Sequence, residues 1–385
     1  MIPPSPPPAK TRTVPLWDIA IVAILLALAG VLVVNVLTNM ALAGMQPGFG
    51  FLRQSAGFDV SEALISYGPG DPYARVILVG LLNTLFLATV CLVLASLIGL
   101  GVGLMSVGPS PVGRGLAMAY VETFRNLPKL LILLVLFVTA VSGLPHVRQA
   151  VSLGPLHLSN RSLVFPVPVW DARQLITLAA FAAGCAVSWM LIRARARMRE
   201  ATGHAPASWP LVLSFVFALP VSISILCDVP MGWSVPELTG FDFKGGGRLS
   251  LQFVVIAVTL GLYHGAQIGE VVRGGIEAVS RGQIETGMAL GLSRWQVTRL
   301  IVLPQALRII IPPMNNQYAN LIKNTSIAIA VGYTDLMSAA GTIINQTFRP
   351  LEMMLLTMGI YLGLCLFVTS RLNRVAARLQ AREGR

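Results

Sequence analysis

Eight stretches of this chain are apolar for long enough to cross a bilayer, and no other feature limits the fold as strongly. They run Ile19–Thr38, Leu78–Ser106, Leu116–Thr139, Gln174–Ile192, Pro210–Cys227, Leu251–Val272, Ile309–Gly332 and Met353–Ser370. A membrane helix needs about 20 mainly apolar residues, because in hydrocarbon every peptide group must be hydrogen-bonded within its own segment. The chain is 55% hydrophobic and only 11% charged, which excludes a soluble domain of 385 residues. The expected fold is an all-α polytopic membrane protein of about eight transmembrane helices. The third run contains Arg125, Asn126 and Lys129, and the seventh contains the polar stretch from Asn315 to Lys323. Such runs read as broken helices that line a cavity. The start, MIPPSPPPAKTRT, is proline-rich and basic and reads as an extended tail. The first apolar run is too long for a cleaved signal peptide, so an uncleaved first span is expected. Cys91, Cys185, Cys227 and Cys365 lie in or beside apolar runs without metal-ligand spacing, and read as small core hydrophobes.

Eight spans place both termini on one side, and the basic residues choose which. Loops on the side of the termini carry 17 of the 28 Lys and Arg residues, and the opposite loops carry 8. The positive-inside rule then puts the termini and the loop around Glu285 in the cytoplasm. This distribution accounts for the net charge of +12 without nucleic acid, and the RARAR run at Arg193–Arg197 reads as a topology signal.

Between the sixth and seventh runs lies ETGMALGLSRWQVTRLIVLP, Glu285–Pro304. Arg281–Leu290 has the spacing of a short amphipathic helix, with Ile284, Met288 and Leu292 along one stripe. Gly291 suits a left-handed C-cap. Ser293 followed by Gln296 is a capping box that opens a second helix carrying Trp295, Val297, Leu300 and Ile301. That helix is expected to stop near Pro304, Pro312 and Pro313. The amphipathic pattern alone suits a helix lying on the inner leaflet, or an apolar knob for a groove on another protein.

The spacing from Glu285, Thr286 and Gly287 through Gly291 to Leu303 and Pro304 resembles the EAA loop of bacterial ABC importer permeases. GLLNTLFLA at Gly80–Ala88, YVETFRNLPKLLILLVLF at Tyr120–Phe137, and the block from Gly261 to Ala328 resemble permeases of polar amino acid ABC importers, the histidine/glutamate/glutamine type. The long insertion resembles the permeases of general L-amino acid importers. One departure is Arg125-Asn126-Leu127-Pro128 where that family commonly has Gly-Thr-Pro after the arginine. The resemblance implies a type I (MetI-like) permease core with an extra N-terminal helix and a two-helix insertion. It implies an ATPase-coupling loop at Glu285, Thr286, Gly287, Met288, Ala289, Gly291, Leu303 and Pro304. It also implies an ABC ATPase subunit, a second permease that is a different chain, a periplasmic amino-acid-binding protein, and a multi-pass location in the bacterial inner membrane. The division then reads as a cytoplasmic tail (1–18), an N-terminal span with outer loop (19–75), a first core part (76–143), an insertion (144–248), a second core part with the coupling loop 277–304 (249–370), and a basic tail (371–385).

This chain binds no cofactor on this reading, and ATP and Mg are used by the partner ATPase. No GxxxxGK[ST] loop is present, and Gly245–Gly247 lead to Arg248 rather than lysine, as in a plain flexible loop. Ionisable groups inside spans are costly and mark candidate path residues. Glu270 is the acid singled out within a span, and Arg125 and Lys323 are its basic counterparts, with His264 on the helix of Glu270. Asn324, Thr325 and Ser326 follow where a helix can unwind. Glu270 is assigned to an α-amino group and Arg125 or Lys323 to a carboxylate, while pairing of Glu270 with Arg273 is the structural alternative. Gly80, Gly99, Gly101 and Gly103 read as close helix contacts. An ion-coupled carrier or channel, or an ABC permease for another small solute, are the alternative functions.

Overall fold

The computed structural model describes residues 16–42, 44, 48–169, 173–202, 209–227 and 232–381. Most of the expected N-terminal tail (1–15) and the last four residues of the basic tail (382–385) lie outside these. In chain order the helices are α1 (Leu16–Leu42), α2 (Tyr73–Val107), α3 (Pro111–Asn126), α4 (Lys129–Gly143), α5 (Gln174–Thr202), α6 (Trp209–Leu213), α7 (Leu219–Leu226), α8 (Leu251–Glu277), α9 (Arg281–Ala289), α10 (Arg294–Val297), α11 (Leu303–Asn324), α12 (Leu336–Thr347) and α13 (Pro350–Ala381).

Among the described residues six helical stretches are long and apolar enough to cross a membrane, and a seventh forms if α3 and α4 count as one bent span. Each predicted run coincides with helix, but three differ in form. The third breaks by 102° between α3 and α4. The cause is local: Leu127 precedes a proline and is extended, and Pro128 caps the next helix from outside. The fifth is a short apolar helix, Leu211–Leu226, interrupted by a π-turn at Ser214–Ala218. The seventh belongs to a helical stretch that begins at Arg294. The helix opened by Ser293 therefore does not stop at Pro304. A π-turn at Thr298–Val302 sets Pro304 in the first turn of α11, where its missing N–H has no intrahelical partner to lose. Pro312 and Pro313 sit inside α11, as membrane helices tolerate.

The chain forms two compact units. One comprises Met1–Asn83 and Thr334–Leu366. Its core gathers Phe51, Tyr73, Val76, Leu336, Ile343 and Met353. Asn83 is buried and donates to the carbonyls of Glu62 at 2.9 Å and Thr334 at 2.8 Å, which ties α2 to the segment entering α12. Asp335 caps α12, its Oδ1 accepting from the Ser338 amide at 2.8 Å. The apolar window of α1 is 0% buried.

The second unit comprises Thr84–Tyr333 and Phe367–Arg385. Its centre is α8, whose buried face includes Phe253, Ile256, Leu260, His264 and Ile268. Membrane helices lack a hydrophobic force between them, so small residues let them approach. A Cβ on Gly103 would lie 2.6 Å from Val272 Cβ, and one on Gly99 would run into Ile268. Reciprocally, a Cβ on Gly265 would lie 2.7 Å from Ile98 Cγ2. Gly101, by contrast, faces open space and makes no close contact. Cys91 is buried as expected, whereas Cys185 and Cys227 are exposed.

The all-α expectation omits three small antiparallel sheets in this unit. Strands β1 (Val151–Leu153), β2 (Leu156–Leu158), β3 (Ser162–Phe165), β4 (Val167–Pro168), β5 (Trp233–Ser234), β6 (Glu237–Thr239), β7 (Asp242–Lys244) and β8 (Gly247–Ser250) are two to four residues long. Such lengths are too short for alternation to register in sequence. The largest sheet has the order β1-β2-β3-β8 and runs directly into α8. Gly245 and Gly246 turn β7 into β8 with φ of 76° and 67°, which supports the plain-loop reading of that glycine run.

Candidate functional site

The segment between α8 and α11 folds as helix–turn–helix. After α9, Gly291 adopts φ 81° and the Leu292 amide returns to the Gly287 carbonyl at 3.2 Å. Ser293 and Gln296 form the complete capping box that opens α10. Val279, Val297, Val302 and Ala306 are buried together, with Ile284, Leu292 and Ile301 packed against them. Gly287 is buried at the crossing, where a Cβ would lie 2.6 Å from Ile301 Cδ1 and 3.1 Å from Val297 Cγ2. The predicted apolar stripe is therefore divided: Ile284 and Leu292 face this small core, whereas Met288 is 44% exposed. Met288 joins Leu290 and Trp295, which are 77% and 69% exposed. Thr286 bonds the Gly282 carbonyl at 2.7 Å, and Glu285 and Ala289 lie on the exposed side. An open groove of about 490 Å³ runs along α9 beside the π-turn, lined by Gln283, Thr286, Leu290, Leu300 and Gln305 among others. Leu303 is exposed and Pro304 half-buried where α11 begins. A rigid two-helix knob with exposed apolar side chains and a groove beside it can be gripped by another protein.

The candidate path residues fall into two groups. Arg125 and Glu270 come together, with Nη1 of Arg125 3.7 Å from Oε1 of Glu270. Arg273 holds the same carboxylate at 2.6 and 3.0 Å, and also reaches Glu277 at 3.1 Å. Glu270 thus meets two guanidinium groups of its own chain rather than standing apart from Arg125 at the far end of a zwitterion. The second group gathers at the middle of α8. His264 lies thirteen residues from each end of that helix, about 20 Å along the axis, and is 1% exposed. Its Nε2 is 3.0 Å from Nδ2 of Asn324, and Oδ1 of Asn324 accepts from Nζ of Lys129. Tyr263 packs edge-on against the His264 ring at 5.3 Å.

Three helix features converge there. The 102° break delivers the first turn of α4 at Lys129, α11 ends at Asn324, and a 3-10 helix, Thr325–Val331, follows. The expected unwinding after Lys323 is thus a tightening into 3-10 geometry. Thr325 is buried on the Ile322 carbonyl at 2.8 Å, and Ser326 bonds the Lys323 carbonyl at 2.8 Å. Lys323 is exposed and is not part of the Asn324 cluster. In the sequence Lys129 reads only as a polar interruption of the third run. A lysine directly after Pro128 in an apolar segment was the available signal, and its partner lies 195 residues away.

The chain has relatives among known proteins. The chain is 38% identical to the putative amino-acid ABC transporter permease protein YhdX of Escherichia coli over 93% of this chain and 92% of that one. It is 36% identical to the general L-amino acid transport system permease protein AapQ of Rhizobium johnstonii, over 90% and 86%. It is 35% identical to the glutamate/glutamine/aspartate/asparagine transport system permease protein BztB of Rhodobacter capsulatus, over 95% and 93%. Among solved structures it is similar to the crystal structure of an amino acid ABC transporter with histidines, with a TM-score of 0.47 and 18% identity over 80% of this chain and 95% of that one. The family model for the binding-protein-dependent transport system inner membrane component matches residues 95–381. With that match over most of its length, and with near full-length relatives of the same kind, this chain belongs to the family of binding-protein-dependent transport system inner membrane components.

Proposed function

We propose that this chain is the membrane-spanning permease subunit of an ABC importer that carries L-amino acids from periplasm to cytoplasm. The observation that carries the cargo is that relatives covering nearly all of the chain bear names of amino acid permeases. ATP and Mg are consumed on a separate ATPase subunit, a periplasmic binding protein delivers the amino acid, and a second, different permease chain completes the path. The distribution of Lys and Arg supports cytoplasmic termini and a cytoplasmic coupling loop.

In this reading the knob of α9 and α10 seats in a groove of the ATPase. Glu285, Thr286, Met288 and Ala289 face that subunit, while Gly287, Gly291, Leu303 and Pro304 shape the knob and its exit. Closure of the ATPase pair then moves α8 and α11 as rigid levers, because their packed core transmits displacement. The cargo passes the midplane group at His264, Asn324 and Lys129, and Thr325 lies beside it. Lys323 and Ser326 flank Asn324 and Thr325 along the chain and complete the proposed path. Arg125 and Glu270, braced by Arg273, form an ion-pair lock on the cytoplasmic side of that group.

The test is co-purification of the solubilised chain with its partners, wild type against Gly291→Asp, followed by ATPase assay with and without amino-acid-loaded binding protein. Activity that rises with loaded binding protein and is lost in the variant is the expected result. A chain that comes out alone and carries solute unaided returns the carrier or channel reading.

A further inference from the structure

We infer that Lys129 sets the charge preference of the cargo path: its ammonium takes the carboxylates of passing amino acids as counter-ion and favours acidic cargo over neutral. The inference rests on the importer reading above.

Four observations carry it. Lys129 is half-buried, and among the described residues its Nζ has the Asn324 carboxamide as hydrogen-bond partner and no carboxylate within ion-pair distance. Arg125, a basic group of the predicted path, differs in this respect, since it lies 3.7 Å from Glu270. A cation away from the membrane surface is costly unless paired, so one retained without a carboxylate marks a place where an anion passes. Its depth is that of His264, halfway along α8. There the fifteen-residue helix α4 begins, and the peptide N–H groups of Lys129 and Leu130 have no intrahelical acceptor, while those of Leu131 and Ile132 bond the Pro128 carbonyl. Finally, two buried polar atoms on the facing helices, Nδ1 of His264 and Oε1 of Gln317, have no hydrogen-bond partner beyond the contact between His264 and Gln317 themselves. Buried polar atoms are almost always paired, and a ligand with both donors and acceptors satisfies such a set. An amino acid brings both.

The carboxamide of Asn324 presents its oxygen to Lys129 and its amide to His264. It holds the ammonium in place without neutralising it. A glutamate-like cargo brings two carboxylates to this charge and a glutamine-like cargo brings one. Loss of the charge therefore acts on the ratio of the two rather than on both alike.

The experiment uses the complete importer in proteoliposomes, with binding protein loaded to saturation, and compares initial uptake of glutamate and glutamine. Lys129→Gln keeps a donor for Asn324 and removes the charge. It is expected to lower glutamate uptake relative to glutamine by about tenfold or more, as one charge–charge interaction at intermediate dielectric predicts. Lys129→Arg is expected to keep the wild-type ratio. A Lys129→Gln importer that slows both substrates equally, or neither, overturns the inference. If Lys129→Gln does not assemble, Asn324→Asp replaces it, since that change places a carboxylate against the ammonium, and an unchanged ratio there overturns the inference equally. A wild-type complex that moves no amino acid removes the importer reading itself, a result distinct from any change in ratio.

Discussion

A Cβ placed on Gly287 would lie 2.6 Å from Cδ1 of Ile301, a separation that side chains do not adopt. The short helix α9 rests on the π-turn only because this residue has no side chain. Gly287→Val is therefore expected to push α9 from its seat at a cost of about 1–3 kcal/mol. The spans stay folded, since the cluster affected is local to Val279, Val297, Val302 and Ala306. Co-purification of ATPase with the variant, measured beside its thermal melt, checks both halves: the ATPase is lost and the melt changes little.

The crossing of α2 on α8 gives a paired test. Gly103 meets Val272, and Gly101 meets nothing within 4 Å. Gly103→Leu is expected to lower the melting temperature of the solubilised chain markedly, through about 2 kcal/mol or more of overpacking. Gly101→Leu is expected to leave it within experimental scatter. Equal melts for the two variants would contradict the packing described here.

Glu270→Gln separates the lock from the cargo path. The carboxylate is about one-third exposed, as is Arg273, so removing its charge is expected to cost about 1 kcal/mol, and less in high salt. The glutamate-to-glutamine uptake ratio stays at the wild-type value. A role of Glu270 in holding the amino group predicts instead a collapse of all uptake without loss of stability.

Asp335 carries a pH signature. Burial pushes its carboxyl up to about 6, against the amides and the Tyr361 hydroxyl that favour the ionised form. Its folded value thus exceeds the unfolded value of about 4, so the folded state binds more protons between the two. Stability is lost as pH rises through 6 and is regained as pH falls below it. Asp335→Asn keeps an oxygen to cap α12 and removes the charge. It is expected to be more stable than wild type at pH 8 by about 2 kcal/mol, with the two melts converging near pH 4. A constant offset across that range would contradict the assignment.

What the sequence alone determined is what depends on neighbours along the chain. The apolar runs report where helices lie, because solvation of the backbone in lipid is satisfied within each segment. Gly291, Ser293 and Gln296 announce the turn and the second helix of the helix–turn–helix between α8 and α11, because caps are made by residues three or four apart. Arg125, Asn126 and Lys129 announce a break in the third run. The tertiary structure alone decided which groups meet. Lys129 reaches Asn324 across 195 residues, Glu270 pairs with Arg273 and Arg125, and Met288 leaves the stripe that Ile284 and Leu292 share. Gly287 looks like any small helical residue until Ile301 is folded against it. These relations depend on the angle of a break, the register of a π-turn and the distance between packed helices. Such quantities are set by side chains far apart in sequence, so no local pattern records them.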